Sequence, residues 1–257
     1  MSLDFAPRPG AAPLGRMVVA QTMMETRLLM RNGEQLLLAL VIPLLLLVAG
    51  TEATRIVDLG PGRPIDIVTP GVLALAVLSS SFTSLAIATG FERRYGVIKR
   101  LGTTPLPRWG LLVGKIGSVL LVQAVQLTVL CLVALWLGWE PRGGASSYLG
   151  MVVLTLLGTA AFAGLALLLA GILRAEATLA VANLVYVLLL VGGAVLVPLD
   201  RYPAAAQAFL SLLPSGALSE GMRVVFEGGA LPTSSVVVLV VWAAVASIAT
   251  ARTFKWE

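Results

Sequence analysis

The chain has no histidine, a single cysteine and few charges: 12% of its 257 residues are Asp, Glu, Lys or Arg. Without histidine, the side chain most used for acid–base work at neutral pH and for metal ligation is missing. With Cys131 alone, no intramolecular disulfide can form, and the thiol sits in an apolar run where it packs as a small hydrophobe. Acids are absent where the apolar runs are longest, so a buried proton or sodium relay has no members. A phosphate-binding loop is missing too. Gly114-Lys115 is the one Gly-Lys pair, and G-x-x-x-x-G-K-S/T would need glycine at 109 and a hydroxyl at 116, where Trp109 and Ile116 stand. An intramembrane enzyme is disfavoured, because no His, Cys/His pair or intramembrane carboxylate is there to carry acid–base or metal chemistry.

What the chain does have is apolar length. It is 58% hydrophobic with mean hydropathy +0.95, against roughly 45–50% apolar for a soluble domain. It therefore reads as an integral membrane protein. The net charge of +5 is not a nucleic-acid signal, because the basic residues are spread along the chain between apolar runs. Six runs, at 35–50, 70–90, 109–138, 148–173, 177–197 and 234–251, approach or exceed the ~20 residues that cross about 30 Å of hydrocarbon. The first is slightly short and needs flanking residues or tilt. With the amino terminus inside, cytoplasmic segments hold thirteen basic and six acidic residues, and outer segments five and seven. That bias puts both termini in the cytoplasm. Residues 1–13 are polar, lack the apolar core of a signal peptide and are expected to be disordered. Residues 14–257 then form one membrane domain, with no repeat and no long linker.

Two further segments carry helical expectations. Over residues 14–33, Arg16, Arg27 and Arg31 fall within about 60° of one another at ~100° per residue, and Met17, Val18, Leu28 and Leu29 lie on the other side. This predicts an amphipathic helix in the cytoplasmic headgroup layer. Glu25 projects among the apolar residues; it is expected at the lipid–water boundary, the alternative being an arginine of a partner subunit or of the basic segment described next. Between the last two spans, Ala204 to Leu213 is apolar but too short to cross. Pro203 can start one short helix, Pro214 interrupts it and Ser215 to Phe226 can form a second. The pair either dips into the membrane as a re-entrant hairpin or rests on its outer surface.

The most informative stretch is Phe91 to Arg108, FERRYGVIKRLGTTPLPR. Five of its eighteen residues are basic (Arg93, Arg94, Lys99, Arg100, Arg108) and one, Glu92, is acidic, so it belongs on the cytoplasmic side. Tyr95, Val97, Ile98 and Leu101 give a brief helix one apolar side. Gly102 and the Thr-Thr-Pro-Leu-Pro run stop it. From charge alone, the segment reads equally as a loop that only fixes topology.

Its residue order resembles the cytoplasmic coupling loop of ABC-2 type export permeases. The matching elements are Glu92-Arg93-Arg94, Gly96-Val97-Ile98-Lys99-Arg100, Thr104-Pro105-Leu106 and Gly114-Lys115-Ile116. A second match is the spaced order Gly193, Pro198, Pro203, Pro214 and Arg223. The resemblance implies an all-α integral membrane fold: six transmembrane helices, an amino-terminal interfacial helix, a short coupling helix and a re-entrant outer hairpin before the last span. It implies a multi-pass protein of the bacterial cytoplasmic membrane that exports a hydrophobic or amphipathic small molecule, as in drug or antibiotic efflux. The alternative cargo is a lipid-linked glycan or cell-wall precursor. The implied partners are two copies of an ABC ATPase, which would bind the ATP and magnesium, and a second permease chain, identical or related. The chain itself would carry no cofactor, no metal and no nucleic acid. Phe91, Glu92, Arg93, Arg94, Tyr95, Gly96, Val97, Lys99, Arg100 and Leu101 would meet the ATPase, Phe91 and Tyr95 packing into its groove and Glu92, Arg93 and Arg94 setting register. Few polar side chains lie within the spans: a Ser/Thr cluster at 79–84, Gln123 and Gln126, and Asn183 with Tyr186. By themselves they read as interhelical hydrogen bonds worth ~0.6 kcal/mol each. The family places the substrate path along the second and fifth spans, which singles out Ser80, Thr83, Ser84, Asn183 and Tyr186.

Overall fold

In a lipid-like interior every backbone polar group must be satisfied within its own segment, and the long apolar runs are accordingly helical. The structure, a computed structural model, describes residues 10–31, 33–53 and 62–254, without the side chains of residues 34–38. Residues 1–9 of the stretch expected to be disordered lie outside the described residues. The helices are α1 (Leu14–Arg31), α2 (Gly33–Ala53), α3 (Pro64–Leu78), α4 (Leu85–Arg94), α5 (Val97–Leu101), α6 (Arg108–Trp136), α7 (Ala145–Ile172), α8 (Ala175–Gly192), α9 (Ala204–Leu210), α10 (Pro214–Phe226) and α11 (Thr233–Thr253). A π-helical turn, Ser79–Ser84, joins α3 to α4, and a 3₁₀ turn, Leu199–Arg201, precedes α9.

Five continuous helices among the described residues are long and apolar enough to cross a membrane: Pro64–Arg94, Arg108–Trp136, Ala145–Ile172, Ala175–Gly192 and Thr233–Thr253. The expected first span corresponds to α2, whose described apolar stretch is the shorter Ala39–Glu52. Two spans move most. The second runs from Pro64 to Arg94 rather than from residue 70 to 90, so Phe91 to Arg94 form its last turn. The fifth helix ends at Gly192 instead of continuing to residue 197, because the chain opens at Gly193 into an irregular stretch that reaches Pro198.

The bundle is built around α3, whose residues Val68 to Leu78 are all buried. Its neighbours are α2, α6, α7 and α10. The close fit of α7 depends on small residues. Gly150 and Gly158 face Val225 and Leu218 of α10, while Gly164 faces Ala246 of α11 and accepts a 2.9 Å hydrogen bond from Thr250 Oγ1. Pro214 stands in the first turn of α10, where its missing N–H costs nothing. Nearly the whole of that helix is buried against α3, α7 and α11. Of the pair, α10 is packed into the bundle and α9 is the exposed member.

The irregular stretch after α8 is fastened from α10. Arg223 donates from Nη1 to the Ala194 carbonyl (3.1 Å) and from Nη2 to the Val195 carbonyl (2.7 Å), and Ser219 Oγ adds a 2.7 Å bond to Ala194. Ala194 adopts φ +55°. Gly71 of α3 has no room for a Cβ, which would fall on the Val195 carbonyl. At this same end of the bundle, the edge of Phe226 is packed by Trp139 and Tyr148, with ring centroids 4.7 and 6.0 Å away. Arg63 pairs with Glu140 at 2.9 Å nearby.

Candidate functional site

The opposite end of the bundle carries the basic segment, and the site is assembled there. After α4 the chain turns at Gly96, whose φ of +69° is a left-handed conformation that a side chain would strain. It then makes the single short turn α5. Thr103 and Thr104 close that turn by donating from Oγ1 to the carbonyls of Arg100 (2.7 Å) and Leu101 (2.6 Å). Ile98 is the anchor, 1% exposed. Tyr95 stacks on Phe91 with ring centroids 6.1 Å apart and is 65% exposed, next to exposed Val97, Lys99 and Arg100. The tip thus presents an aromatic and two cations to solvent, while Gly96 and Leu101 are half-buried.

The three charges just before the tip are engaged inside the chain. Glu92 pairs with Lys115 of α6. Arg93 donates to the carbonyls of Ala170 (2.7 Å) and Leu173 (2.6 Å), at the carboxyl end of α7, where a cation satisfies open carbonyls and complements the helix dipole. Arg94 pairs with Glu176 at the start of α8. Three consecutive side chains therefore tie the end of the second span to α6, α7 and α8. Glu92 and Arg93 hold the segment in place from partly buried positions, and its exposed residues are Arg94, whose pair with Glu176 lies at the surface, Tyr95, Val97, Lys99 and Arg100.

Helix α1 lies against α6, close enough that a Cβ at Gly114 would come within 2.7 Å of Gln21 Cγ. Its arginines Arg16, Arg27 and Arg31 are all exposed. Glu25 is not at a solvated boundary as expected; it is 7% exposed, accepts a 2.8 Å hydrogen bond from Gln21 Nε2 and pairs with Lys115 Nζ at 2.9 Å. Nor is its partner an arginine. Lys115, counted in the sequence as one more cytoplasmic charge, is 2% exposed and holds both Glu25 and Glu92. Sequence reasoning overlooked it, although a lysine two turns into an apolar helix signals a counter-charge nearby.

The residues considered for a substrate path divide. Ser80 is turned inward: its Oγ accepts 2.9 Å from Gln123 Nε2 and donates to the Ala76 carbonyl at 2.7 Å. Gln123 Oε1 in turn accepts from Thr159 Oγ1 at 2.7 Å, so this group is an interhelical network. Thr83 and Ser84 are half-buried on the π-helical turn, with Thr83 Oγ1 buried and unpartnered. Asn183 is exposed and Tyr186 half-buried on α8, which packs along α4 and the π-helical turn. Among the described residues, no three His, Cys, Asp or Glu gather as a metal site.

The chain is thus a polytopic helical membrane protein with a short solvent-facing helix tied to three spans at one end and a helical hairpin, one member of it buried in the bundle, at the other. Residues 16–226 match the ABC-2 type transporter family, and the chain belongs to that family. It is a multi-pass membrane component of an ABC transporter, which implies an ABC ATPase as its working partner. No curated protein matches the chain as a relative.

Proposed function

We propose that the chain is the permease half of an ATP-driven exporter, receiving its power stroke at residues 91–101 from a separate ATPase. The observation that carries this reading is the form of the basic segment. An exposed tip of Tyr95, Val97, Lys99 and Arg100 is joined to three membrane helices, through the partly buried contacts of Glu92 and Arg93 and the surface pair of Arg94 with Glu176. Force applied to the tip would reach α6, α7 and α8 without a flexible intermediary. The positive-inside bias makes this end cytoplasmic. Two ATPase copies and a second permease chain complete the assembly, the second chain facing the lightly covered α8, where Leu184, Leu188 and Val191 are each more than half exposed. In the structure, Thr83, Ser84, Asn183 and Tyr186 remain candidates for a path between the two permeases, while Ser80 serves the Gln123 network. Such a path is apolar with scattered neutral donors and fits a hydrophobic or amphipathic small molecule. The glycan alternative, which a wider aromatic-lined path would suit, draws less support, since the clustered aromatics Trp139 and Tyr148 are packed on Phe226.

The test is affinity purification of the tagged chain from native membranes in mild detergent, with identification of co-purifying chains and an ATPase assay. A Walker-motif subunit should accompany the wild type and be lost with Lys99→Glu/Arg100→Glu. Recovery of the chain with no ATPase activity overturns the reading.

A further inference from the structure

Lys115 projects from the middle of the first half of α6 into a site with almost no water. Its side chain is 2% exposed, that of Glu25 9% and that of Glu92 23%. A lone ammonium in such a place is strongly disfavoured unless paired and hydrogen-bonded. Here a single cation holds two carboxylates from two otherwise separate elements. Helix α1 rests on α6 and α2, whereas α4 rests on α7, α8 and the π-helical turn. Lys115 brings one carboxylate from each to a single point, and Gln21 steadies the α1 carboxylate from its own helix. Neutralising one cation needs one acid, so the second acid calls for a purpose beyond charge balance.

Resting on the exporter reading above, we propose that Lys115 is a positioning residue which clamps the amino-terminal amphipathic helix to the coupling segment, so that the two move as one body during the transport cycle. Displacement at residues 91–101 enters α4 through Glu92. The clamp passes it through Lys115 to Glu25, and α1 is carried with it instead of staying behind in the headgroup layer. The geometry suits such a clamp, because the lysine is on the longest α-helix of the bundle and its two partners lie 90 and 23 residues away in sequence. Because the pairs are shielded from solvent, salt screens them far less than it would screen surface ion pairs.

The clamp is tested on the permease alone and on the assembled transporter. Spin labels at Met23→Cys on α1 and Val97→Cys on α5, in a Cys131→Ala background diluted with unlabelled protein, report the distance across it. With Lys115 or Lys115→Arg, a single narrow distance is expected. Lys115→Met leaves two buried acids facing each other and can fail to fold. The neutral triple variant Glu25→Gln/Lys115→Met/Glu92→Gln removes every buried charge of the cluster, and it should stay folded but show at least a twofold broader distribution. In proteoliposomes with the co-purified ATPase, the triple variant should hydrolyse ATP yet move at least tenfold less substrate per ATP, with Lys115→Arg alone keeping most of the wild-type ratio. An unchanged distance in the triple variant, or a broadened distance with unchanged transport per ATP, overturns the proposal. If no ATPase accompanies the wild type, it is the exporter reading that fails, and the distance measurement still decides whether the clamp exists.

Discussion

Glu92 is the residue on which the largest difference between surface and interior chemistry turns. On a solvent-facing loop it would be an exchangeable register mark, but paired with buried Lys115 it is a joint between helices. Glu92→Ala should therefore insert normally and still bind the ATPase, while transport per ATP falls roughly tenfold, equivalent to about 1.4 kcal/mol of lost coupling. Transport assays in proteoliposomes check this, and wild-type coupling in that variant would sink the idea. Gln123 shows the opposite case, a polar residue in a span whose work is structural. Its amide donates to Ser80 Oγ and accepts from Thr159 Oγ1, so Gln123→Leu strands the Thr159 hydroxyl, while Ser80 keeps its bond to the Ala76 carbonyl. The expected cost is about 1–2 kcal/mol, read as a lowered melting temperature in detergent with transport per ATP unchanged.

At the scale of elements, the broken segments matter more than the straight ones. The π-helical turn at Ser79–Ser84 sits where the second span passes from its fully buried half to the half that ends at the coupling segment. Such turns interrupt the regular ladder and frequently mark functional positions. The stretch from Gly193 to Pro198 leaves carbonyls without helical partners, and Arg223 takes up two of them. Arg223→Met would leave the Val195 carbonyl without its partner while Ser219 Oγ still serves Ala194, and a loss of about 1–3 kcal/mol is expected, measured as thermal unfolding or as new protease cleavage near Ala194. Arg223→Lys should recover only part of this, because an ammonium cannot reproduce the fork that reaches both carbonyls. The spaced glycine and prolines of this region are visible in the chain. That an arginine one helix later holds the opened backbone is not, since the bond spans 28 residues.

For the molecule as a whole, the charge asymmetry between the two ends predicts an orientation with the basic end cytoplasmic. Cys131 is the only native cysteine, so Cys131→Ala provides a clean background for mapping it. A membrane-impermeant maleimide should label Lys99→Cys only in inside-out vesicles and Glu140→Cys only in right-side-out ones, since both positions are exposed at opposite ends of the bundle. Labelling of both from one side would overturn the assigned topology.

Hydropathy and charge placement are local and additive, and they by themselves determined that this is a helical membrane protein, where its spans lie to within a turn or two and which short segment is the basic tip. The boundary at Gly192 was missed because Gly193 to Val197 is as apolar as the helix before it, and hydropathy does not distinguish helix from open chain. Partner choice depends instead on how helices cross and in what register, and only the tertiary structure decided it. Glu25 looked like a defect on an apolar face because the wheel of one helix contains no information about α6. Lys115 looked like one more cytoplasmic charge because its burial is produced by α1 and α4 closing over it. Arg93 looked unpaired because the end of α7 comes near it only once the bundle has packed. In each case a local rule identified the residue's chemistry, and the packing of distant segments, which alone sets the solvent exposure and the neighbours of a charge, decided its use.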